Sequence, residues 1–276
     1  MKKVFALAFI LIGFALSAKS QDIVSGDEKL TFESEVEKTL WQKGQEDVFQ
    51  LFLAVEASES TSSSNWEKLV IELDELASKN QDELKLLRQI FQKTHQRILK
   101  KYEIHSSFSA TLNSGKYDCV SGSAALAILL DRYRIEYDII ETDYHVFLVA
   151  KIDGKEIILE STLPVGGMIT SPSEVANYLK SYTAANEAPL REFNQRLAGP
   201  QVDYKDNSIF RKVNLRELAG LQYYNHAIVQ FNSQAFGKAV HQLSKAYLLY
   251  PSERIEGLRE LSIDLAFKTY GYKPSR

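Results

Sequence analysis

The chain has 276 residues, of which 45% are hydrophobic and 25% are charged, and its formal net charge is −3. This length allows one large domain or two smaller ones, and the hydrophobic content is sufficient for a buried core. The slightly acidic charge argues against nucleic-acid binding, which requires a basic surface.

The first twenty residues have the pattern of a cleavable export signal. Lys2 and Lys3 precede an apolar run from Val4 to Leu16, and small residues follow around Ala18 and Ser20. This order is typical of a secretory signal peptide, and the apolar run is too short for a comfortable membrane span. We expect cleavage after Ser20, or at the nearby residues 17 or 18. The mature chain would then be periplasmic or secreted, with a net charge of −6 because three lysines and no acids are removed, and without a stable membrane anchor.

Residues 21–104 are predicted to form an N-terminal helical region. Apolar residues recur at three- and four-residue steps from about Glu33 to Val55, with Gly44 as a candidate break between two helices. A further amphipathic helix follows a serine-rich linker at residues 57–64, and another spans about residues 81–102. The pattern predicts packing surfaces and gives no indication of chemistry.

The only cysteine of the chain stands at the start of a small, apolar helix. Cys119 follows Asp118, a residue type that caps helix N-termini, and residues 120–130 are small or apolar. The helix dipole and the unpaired N–H groups at this end favour a thiolate. The small residues 121–124 leave room for another backbone to pack closely. A single cysteine in an exported chain is an inert buried side chain, an intermolecular disulfide or a reactive thiol.

Three strands are predicted after this helix, at residues 135–142, 145–150 and 155–161, whereas the approach at residues 105–116 is predicted to be a polar loop. Asp153-Gly154 between the last two strands is a strong hairpin signal. With these two residues as the loop, His145 lies opposite Thr162 and shares a face with Glu160, at a diagonal backbone separation of roughly 7–8 Å. A register slip of one residue would place the two side chains on opposite faces.

Cys119, His145 and Glu160 are therefore the candidate catalytic residues. A thiol requires a base to become a nucleophile at neutral pH, and the base requires an orienting group. The other histidines lie on a basic helix face, in the approach loop or in a separate helical segment, and we expect them to be structural: His95, His105, His226 and His241.

Helices are predicted again in the C-terminal part. Ser171-Pro172-Ser173-Glu174 is typical of a helix start, with the helix reaching about Lys180, and Gly199-Pro200 marks a turn. From Leu215 onward, six residues have the spacing of one tetratricopeptide repeat: Tyr223, Ala227, Ala239, Leu243, Ala246 and Pro251. A capping helix is expected from Arg254 to Tyr270. This unit either covers the rest of the protein or offers a docking surface for a protein partner.

The segment from about Lys101 to Leu163 resembles the transglutaminase-like family of the papain-like cysteine protease superfamily. The resemblance is carried by residues 117–124, 145–149, 153–154 and 159–162. It implies an α+β fold in which a cysteine-bearing helix packs on a small antiparallel sheet, within residues 105–200. The helical region at residues 21–104 would precede this core, and a tetratricopeptide-like region at residues 201–276 would follow it.

By this resemblance Cys119 is the nucleophile, His145 the general base and acid, and Glu160 the orienting carboxylate. Glu160 stands where the family usually has aspartate, and Val146-Phe147 stands where many members have an Ala-Trp pair. The backbone N–H of Cys119 would bind the oxyanion, with Asn113 as a suggested second donor.

We therefore expect an exported, cysteine-dependent acyl-transfer enzyme that hydrolyses amide bonds of a peptide or protein substrate. One alternative is a catalytically inactive member of the family that binds proteins or peptides through its helical repeat. A second alternative is a protein-crosslinking transglutaminase. The sequence contains no metal-ligand cluster, phosphate-binding loop or cofactor motif, so no cofactor is expected.

Overall fold

The computed structural model describes residues 30–58, 63–79, 82–183 and 209–274. The expected signal peptide at residues 1–20 and the turn at Gly199-Pro200 lie outside these residues. The chain is α+β, with helices around one five-stranded antiparallel sheet and a separate two-stranded parallel ladder. Within the described ranges, no helix combines the length and the apolar content needed to cross a bilayer.

Four helices form the N-terminal layer: α1 (Glu35–Lys43), α2 (Val48–Ala54), α3 (Ser64–Ala77) and α4 (Glu83–Arg97). The predicted break at Gly44 is confirmed, because this residue separates α1 from α2. A side chain there would lie 2.5 Å from the Leu51 side chain, so glycine is needed for the close approach of the two helices.

The prediction that the last of these helices continues to residue 102 is wrong. Helix α4 ends at Arg97, and Lys101–Tyr102 form a short strand, β1, that pairs in parallel with β2 (Lys116–Tyr117). The N–H groups of Lys100 and Lys101 both donate to the carbonyl of Gly115, each at 2.9 Å. These hydrogen bonds hold the backbone in an extended conformation, whereas the amphipathic pattern predicted that the helix continues through these residues.

The approach segment contains a helix that the sequence pattern did not predict. Helix α5 spans Phe108–Ser114; the Ser107 side chain caps its start and Gly115, with a φ of 73°, ends it in a left-handed conformation. Its two buried large apolar residues, Phe108 and Leu112, lie one turn apart. One such pair is too little to produce a recognisable period.

Helix α6 (Cys119–Arg132) begins at the predicted residue and leads into the sheet. The strands are β3 (Glu136–Thr142), β4 (Val146–Ile152), β5 (Lys155–Leu159), β6 (Met168–Ile169) and β7 (Phe210–Val213), in the order β6-β5-β4-β3-β7. The three predicted strands are confirmed, with ends that differ by one or two residues. The two edge strands are too short to give an alternating pattern and were not predicted.

The register of the central hairpin is the predicted one. Asp153 and Gly154 have φ values of 50° and 73°, as expected for a type I′ turn between twisted strands. Leu148 lies opposite Leu159, and the pairing continues to Ile152 opposite Lys155. The two-residue loop therefore fixes which side chains of β4 and β5 share a face.

The other helices within the described ranges are α7 (Pro172–Thr183), α8 (Leu215–Asn232), α9 (Phe236–Leu249) and α10 (Glu253–Tyr270). The predicted helix start at Pro172 and the predicted C-terminal helices are confirmed. One continuous hydrophobic core contains residues of the N-terminal helices, of α6, of the sheet and of α8 and α9. The fully buried Lys245 of α9 forms an ion pair with Glu37 of α1, so the first and last helical layers are in direct contact.

Candidate active site

The start of α6 places the cysteine sulfur at the edge of the sheet. Cys119 is the first residue of the helix, and Asp118 caps it by accepting from the Ser121 N–H at 2.8 Å. The backbone N–H groups of Val146 and Val120 lie near the sulfur and act to lower its pKa. Since Val146 directly follows His145, the sulfur lies next to the start of β4. Cys119 is partly buried and lines a pocket of about 480 Å³ together with His145.

Small residues allow this close approach, as predicted. A side-chain carbon at Gly122 would lie 2.8 Å from the Ser161 Oγ and 3.1 Å from the Tyr117 ring. The hydroxyl of Ser123 donates to the carbonyl of Val146 at 3.2 Å. The first two turns of α6 therefore pack directly on the backbone that carries His145 and Glu160.

The imidazole of His145 contacts the carboxylate of Glu160. Their Nε2 and Oε2 atoms are 2.5 Å apart, which confirms the predicted proximity of the two side chains. Thr142 fixes the backbone of His145, because its N–H donates to the His145 carbonyl at 2.8 Å and its hydroxyl accepts from the His145 N–H at 3.1 Å. The imidazole lies beside the rings of Phe147 and Tyr182, at centroid distances of 6.2 and 6.1 Å, and these two rings also contact each other, with centroids 5.2 Å apart.

Glu160 is almost fully buried and accepts hydrogen bonds at both oxygens. Besides His145, its donors are the Thr162 N–H at 2.8 Å, the Thr162 hydroxyl at 2.5 Å and the Tyr178 hydroxyl at 2.5 Å. Burial acts to raise the pKa of Glu160, but the bonds from His145, Thr162 and Tyr178 outweigh it and hold this pKa below its ordinary value. The carboxylate is therefore ionised at neutral pH.

The thiolate expected at the helix start is not the resting form. Burial raises the pKa of the Cys119 thiol to about 12, and the nearby carboxylates of Asp118 and Glu160 act in the same direction. The two N–H groups lower it only in part. A sulfur at this position therefore holds its proton at neutral pH, and a nucleophile forms only when a base accepts that proton.

Asn113, suggested as an oxyanion donor, does not reach the site. It is exposed on α5 and is not among the residues that line the pocket of Cys119. The reason is the unpredicted helix: α5 turns its buried face, with Phe108 and Leu112, toward the core and this side chain toward solvent.

Four residues that were not predicted to belong to the site line the pocket with Cys119 and His145. His105, expected to be structural, is one of them, and its buried Nδ1 has no hydrogen-bond partner among the described residues. Tyr102 of β1 also lines this pocket. Asn225 of α8 donates to Asp118 at 3.0 Å, and Arg254 of α10 forms an ion pair with the buried Glu141. Because these residues are remote from Cys119 in the sequence, no local pattern predicts that they lie near it.

The other histidines stay away from the pocket. His95 is buried against Phe91 and Tyr117, and burial lowers its pKa to about 4. His226 contacts Gln230 at 3.2 Å within α8. These positions agree with a structural role.

Within the part of the chain that the structure describes, no group of three or more His, Cys, Asp or Glu side chains is arranged to hold a metal ion. The polar groups of the site instead bond to one another and to backbone N–H groups. The chemistry that this arrangement supports is proton transfer and nucleophilic attack by sulfur.

No protein-family model matches this chain, and neither a curated protein nor a solved structure matches it.

Proposed function

We propose that this protein is a cysteine-dependent acyl-transfer enzyme of the transglutaminase-like type, with a papain-like core, and that it hydrolyses amide bonds in peptides or proteins. The observation that carries the proposal is the convergence of three groups from separate elements. Cys119 lines one pocket with Val146 and His145, and the imidazole of His145 contacts the ionised Glu160.

The proposed reaction starts with proton transfer from the thiol. Because Nε2 of His145 is held by Glu160, the other ring nitrogen, Nδ1, accepts the proton of Cys119. The sulfur attacks the amide carbonyl and forms a tetrahedral oxyanion. The C–N bond then breaks, and the amine leaves with the proton that His145 returns. Water, deprotonated by the same imidazole, releases the acid and restores the thiol.

Glu160 acts on the imidazole in this scheme. Its carboxylate fixes the ring orientation and the tautomer, and it stabilises the imidazolium that forms when the thiol proton is transferred. The side chain of glutamate is longer than that of aspartate. This length suits a diagonal position in the hairpin, because diagonal neighbours are farther apart than directly opposite residues. A buried, fully hydrogen-bonded carboxylate also needs little reorganisation during the reaction.

A peptide or protein substrate fits the rim of the pocket. Ile104 and Tyr144 line it and are 67% and 59% exposed, so apolar surface surrounds the opening. The wall contributed by α8 and α10 favours a covering role for the C-terminal helices over a separate docking function. Export of the chain, expected from residues 1–20, would place this activity outside the cytoplasm.

One observation favours the inactive alternative, a protein that keeps the fold and binds a peptide in the pocket. The pKa of Cys119, at about 12, leaves almost no thiolate unless His145 accepts the proton. A protein-crosslinking activity would follow the same first step with an amine in place of water.

Peptide cleavage and amine incorporation test these three readings together. The purified protein is incubated with a mixed peptide library and with a fluorescent primary amine, alongside a Cys119→Ala control. Cleavage that depends on Cys119 supports the hydrolase, and Cys119-dependent amine incorporation without cleavage supports the crosslinking enzyme. If neither product forms and the protein still binds peptides, the proposed hydrolase is wrong and the inactive peptide-binding protein takes its place.

A further inference from the structure

We propose that Tyr102 is a catalytic residue: its hydroxyl donates a hydrogen bond to the oxyanion that forms when Cys119 attacks a carbonyl group. It would act together with the backbone N–H of Cys119. The inference rests on the proposed acyl-transfer function and adds to it the second oxyanion donor, the part that Asn113 does not provide.

The backbone places Tyr102 beside the nucleophile. In the parallel ladder of β1 and β2, Tyr102 lies opposite Tyr117, which is two residues before Cys119. The N–H of Glu103 donates to the Tyr117 carbonyl at 2.8 Å, immediately after Tyr102. Backbone bonds before and after the residue therefore fix its position relative to the start of α6.

The side chain is also held in place. The rings of Tyr102 and Tyr117 meet edge to face, with centroids 6.0 Å apart and an interplanar angle of 86°. Tyr117 is itself buried, so it is a rigid support. Tyr102 remains 48% exposed and lines the pocket of Cys119 and His145, where a substrate carbonyl would lie.

The hydroxyl keeps its proton through the neutral range. Burial raises the pKa of Tyr102 to about 12, and the nearby carboxylates of Asp118 and Glu160 act in the same direction. A donor that stays neutral and protonated at this position can stabilise a negative oxygen as it develops. The N–H of Cys119 is suited to be the other oxyanion donor, because the first N–H groups of a helix lack intrahelical partners.

Other side chains near the site have different partners. The amide of Asn225 donates to Asp118 at 3.0 Å, where it supports the cap of α6. The hydroxyl of Tyr182 contacts that of Tyr178 at 3.2 Å, on the face of the His145 ring. By contrast, Tyr272 in the C-terminal segment is 52% exposed, close to the 48% of Tyr102, and does not line this pocket. It therefore offers a matched control.

Two reactions of the same sulfur separate an oxyanion donor from every other role. Acetylation by p-nitrophenyl acetate forms the S–C bond through a tetrahedral oxyanion and expels p-nitrophenolate, whereas alkylation by iodoacetamide displaces iodide without an oxyanion. In the full protein we expect Tyr102→Phe to slow acetylation of Cys119 by roughly 10²- to 10³-fold, as for other oxyanion donors, while alkylation changes less than about twofold. Tyr272→Phe should leave both rates unchanged.

Unchanged acetylation in Tyr102→Phe would overturn the inference and leave the proposed function intact. An equal loss of both rates would also overturn it, because Tyr102 would then act on the thiol or on the fold. If the unaltered protein is not acetylated at Cys119, the proposed function itself fails. The ratio of the two rates thus gives an answer that activity alone would not.

Discussion

Nε2 of His145 lies 2.5 Å from Oε2 of Glu160, although the two residues are not directly opposite each other in the hairpin. His145 precedes β4 and Glu160 follows β5, and the two-residue turn at Asp153-Gly154 sets their relative position. The contact occupies Nε2, and the proposed mechanism assigns Nδ1 to the proton of Cys119.

Substituting Glu160→Gln should slow acetylation of Cys119 by p-nitrophenyl acetate by roughly 10³-fold, because the neutral amide neither fixes the tautomer of His145 nor stabilises its protonated form. The measurement is the rate of p-nitrophenolate release at pH 7. Glu156→Gln is the control, since Glu156 lies on β5, the strand that leads to Glu160, but is exposed. A rate for Glu160→Gln within threefold of the control rate would remove Glu160 from the mechanism.

Tyr178→Phe should lower the free energy of unfolding at pH 7 by about 2 kcal/mol, since it removes a hydrogen bond to a buried carboxylate. The folded-state pKa of Glu160 lies below its ordinary value of 4.5, so its stabilising effect is present above that pH and is lost as the pH falls through the folded pKa. Without the Tyr178 hydroxyl this pKa rises, and the loss begins at a higher pH.

Urea unfolding at pH 7 and at pH 3 measures both effects. The difference between the unaltered protein and Tyr178→Phe should shrink toward pH 3, because protonation of Glu160 removes the charge that the Tyr178 hydroxyl stabilises. Tyr182→Phe is the control, because the structure pairs its hydroxyl with Tyr178 and not with Glu160. A difference that does not change between the two pH values would mean that Tyr178 stabilises the fold independently of the charge on Glu160.

Gly122→Ala should separate α6 from the backbone beside Glu160. The added carbon would lie 2.8 Å from the Ser161 Oγ and 2.9 Å from its Cβ, so the helix or residue 161 must move. We expect a loss of about 1–3 kcal/mol in the free energy of unfolding, together with slower acetylation of Cys119.

Gly257→Ala provides the contrast, because nothing lies within 4 Å of a carbon added at that helical position. It should stabilise the protein by about 0.5–1 kcal/mol through its helix propensity and leave the acetylation rate unchanged. Equal effects of the two substitutions would show that the close packing at Gly122 is not important for the site.

His145→Ala should convert Cys119 into an ordinary buried thiol. With a pKa of about 12, the thiolate fraction at pH 7 is roughly 10⁻⁵. Alkylation of the variant by iodoacetamide should therefore rise about tenfold for each pH unit and show no plateau below pH 10, whereas the unaltered protein reacts faster at pH 7. His241→Ala, in α9, should behave as the unaltered protein. A plateau near pH 8 in His145→Ala would mean that burial does not control this thiol.

Local patterns were sufficient to predict the elements that carry Cys119, His145 and Glu160. A capping residue before a run of small apolar residues defines α6, and the turn at Asp153-Gly154 fixes the register of β4 and β5. Because side chains alternate along a strand, that register also predicted the contact between His145 and Glu160.

The rest of the site depends on contacts that are remote in sequence. Tyr102 lines the pocket because β1 pairs with β2 over two residues, where the sequence pattern predicted a continued helix. Arg254 lines the pocket from α10. Neither position has a periodic signal. The predicted thiolate at Cys119 is wrong for the same kind of reason. The helix start that favours a low pKa is visible in the sequence, whereas the burial that raises the pKa of the sulfur is a property of the assembled fold.

The most direct test of the central claim is the detection of an acyl-enzyme at Cys119. The protein is mixed with p-nitrophenyl acetate at pH 7, and intact mass and peptide mapping follow the acetyl group over time. The account predicts a thioester on Cys119 that forms and then hydrolyses in the unaltered protein and forms at least 100-fold more slowly in His145→Ala. Formation at the same rate in both proteins, or no thioester at Cys119 in either, would contradict it.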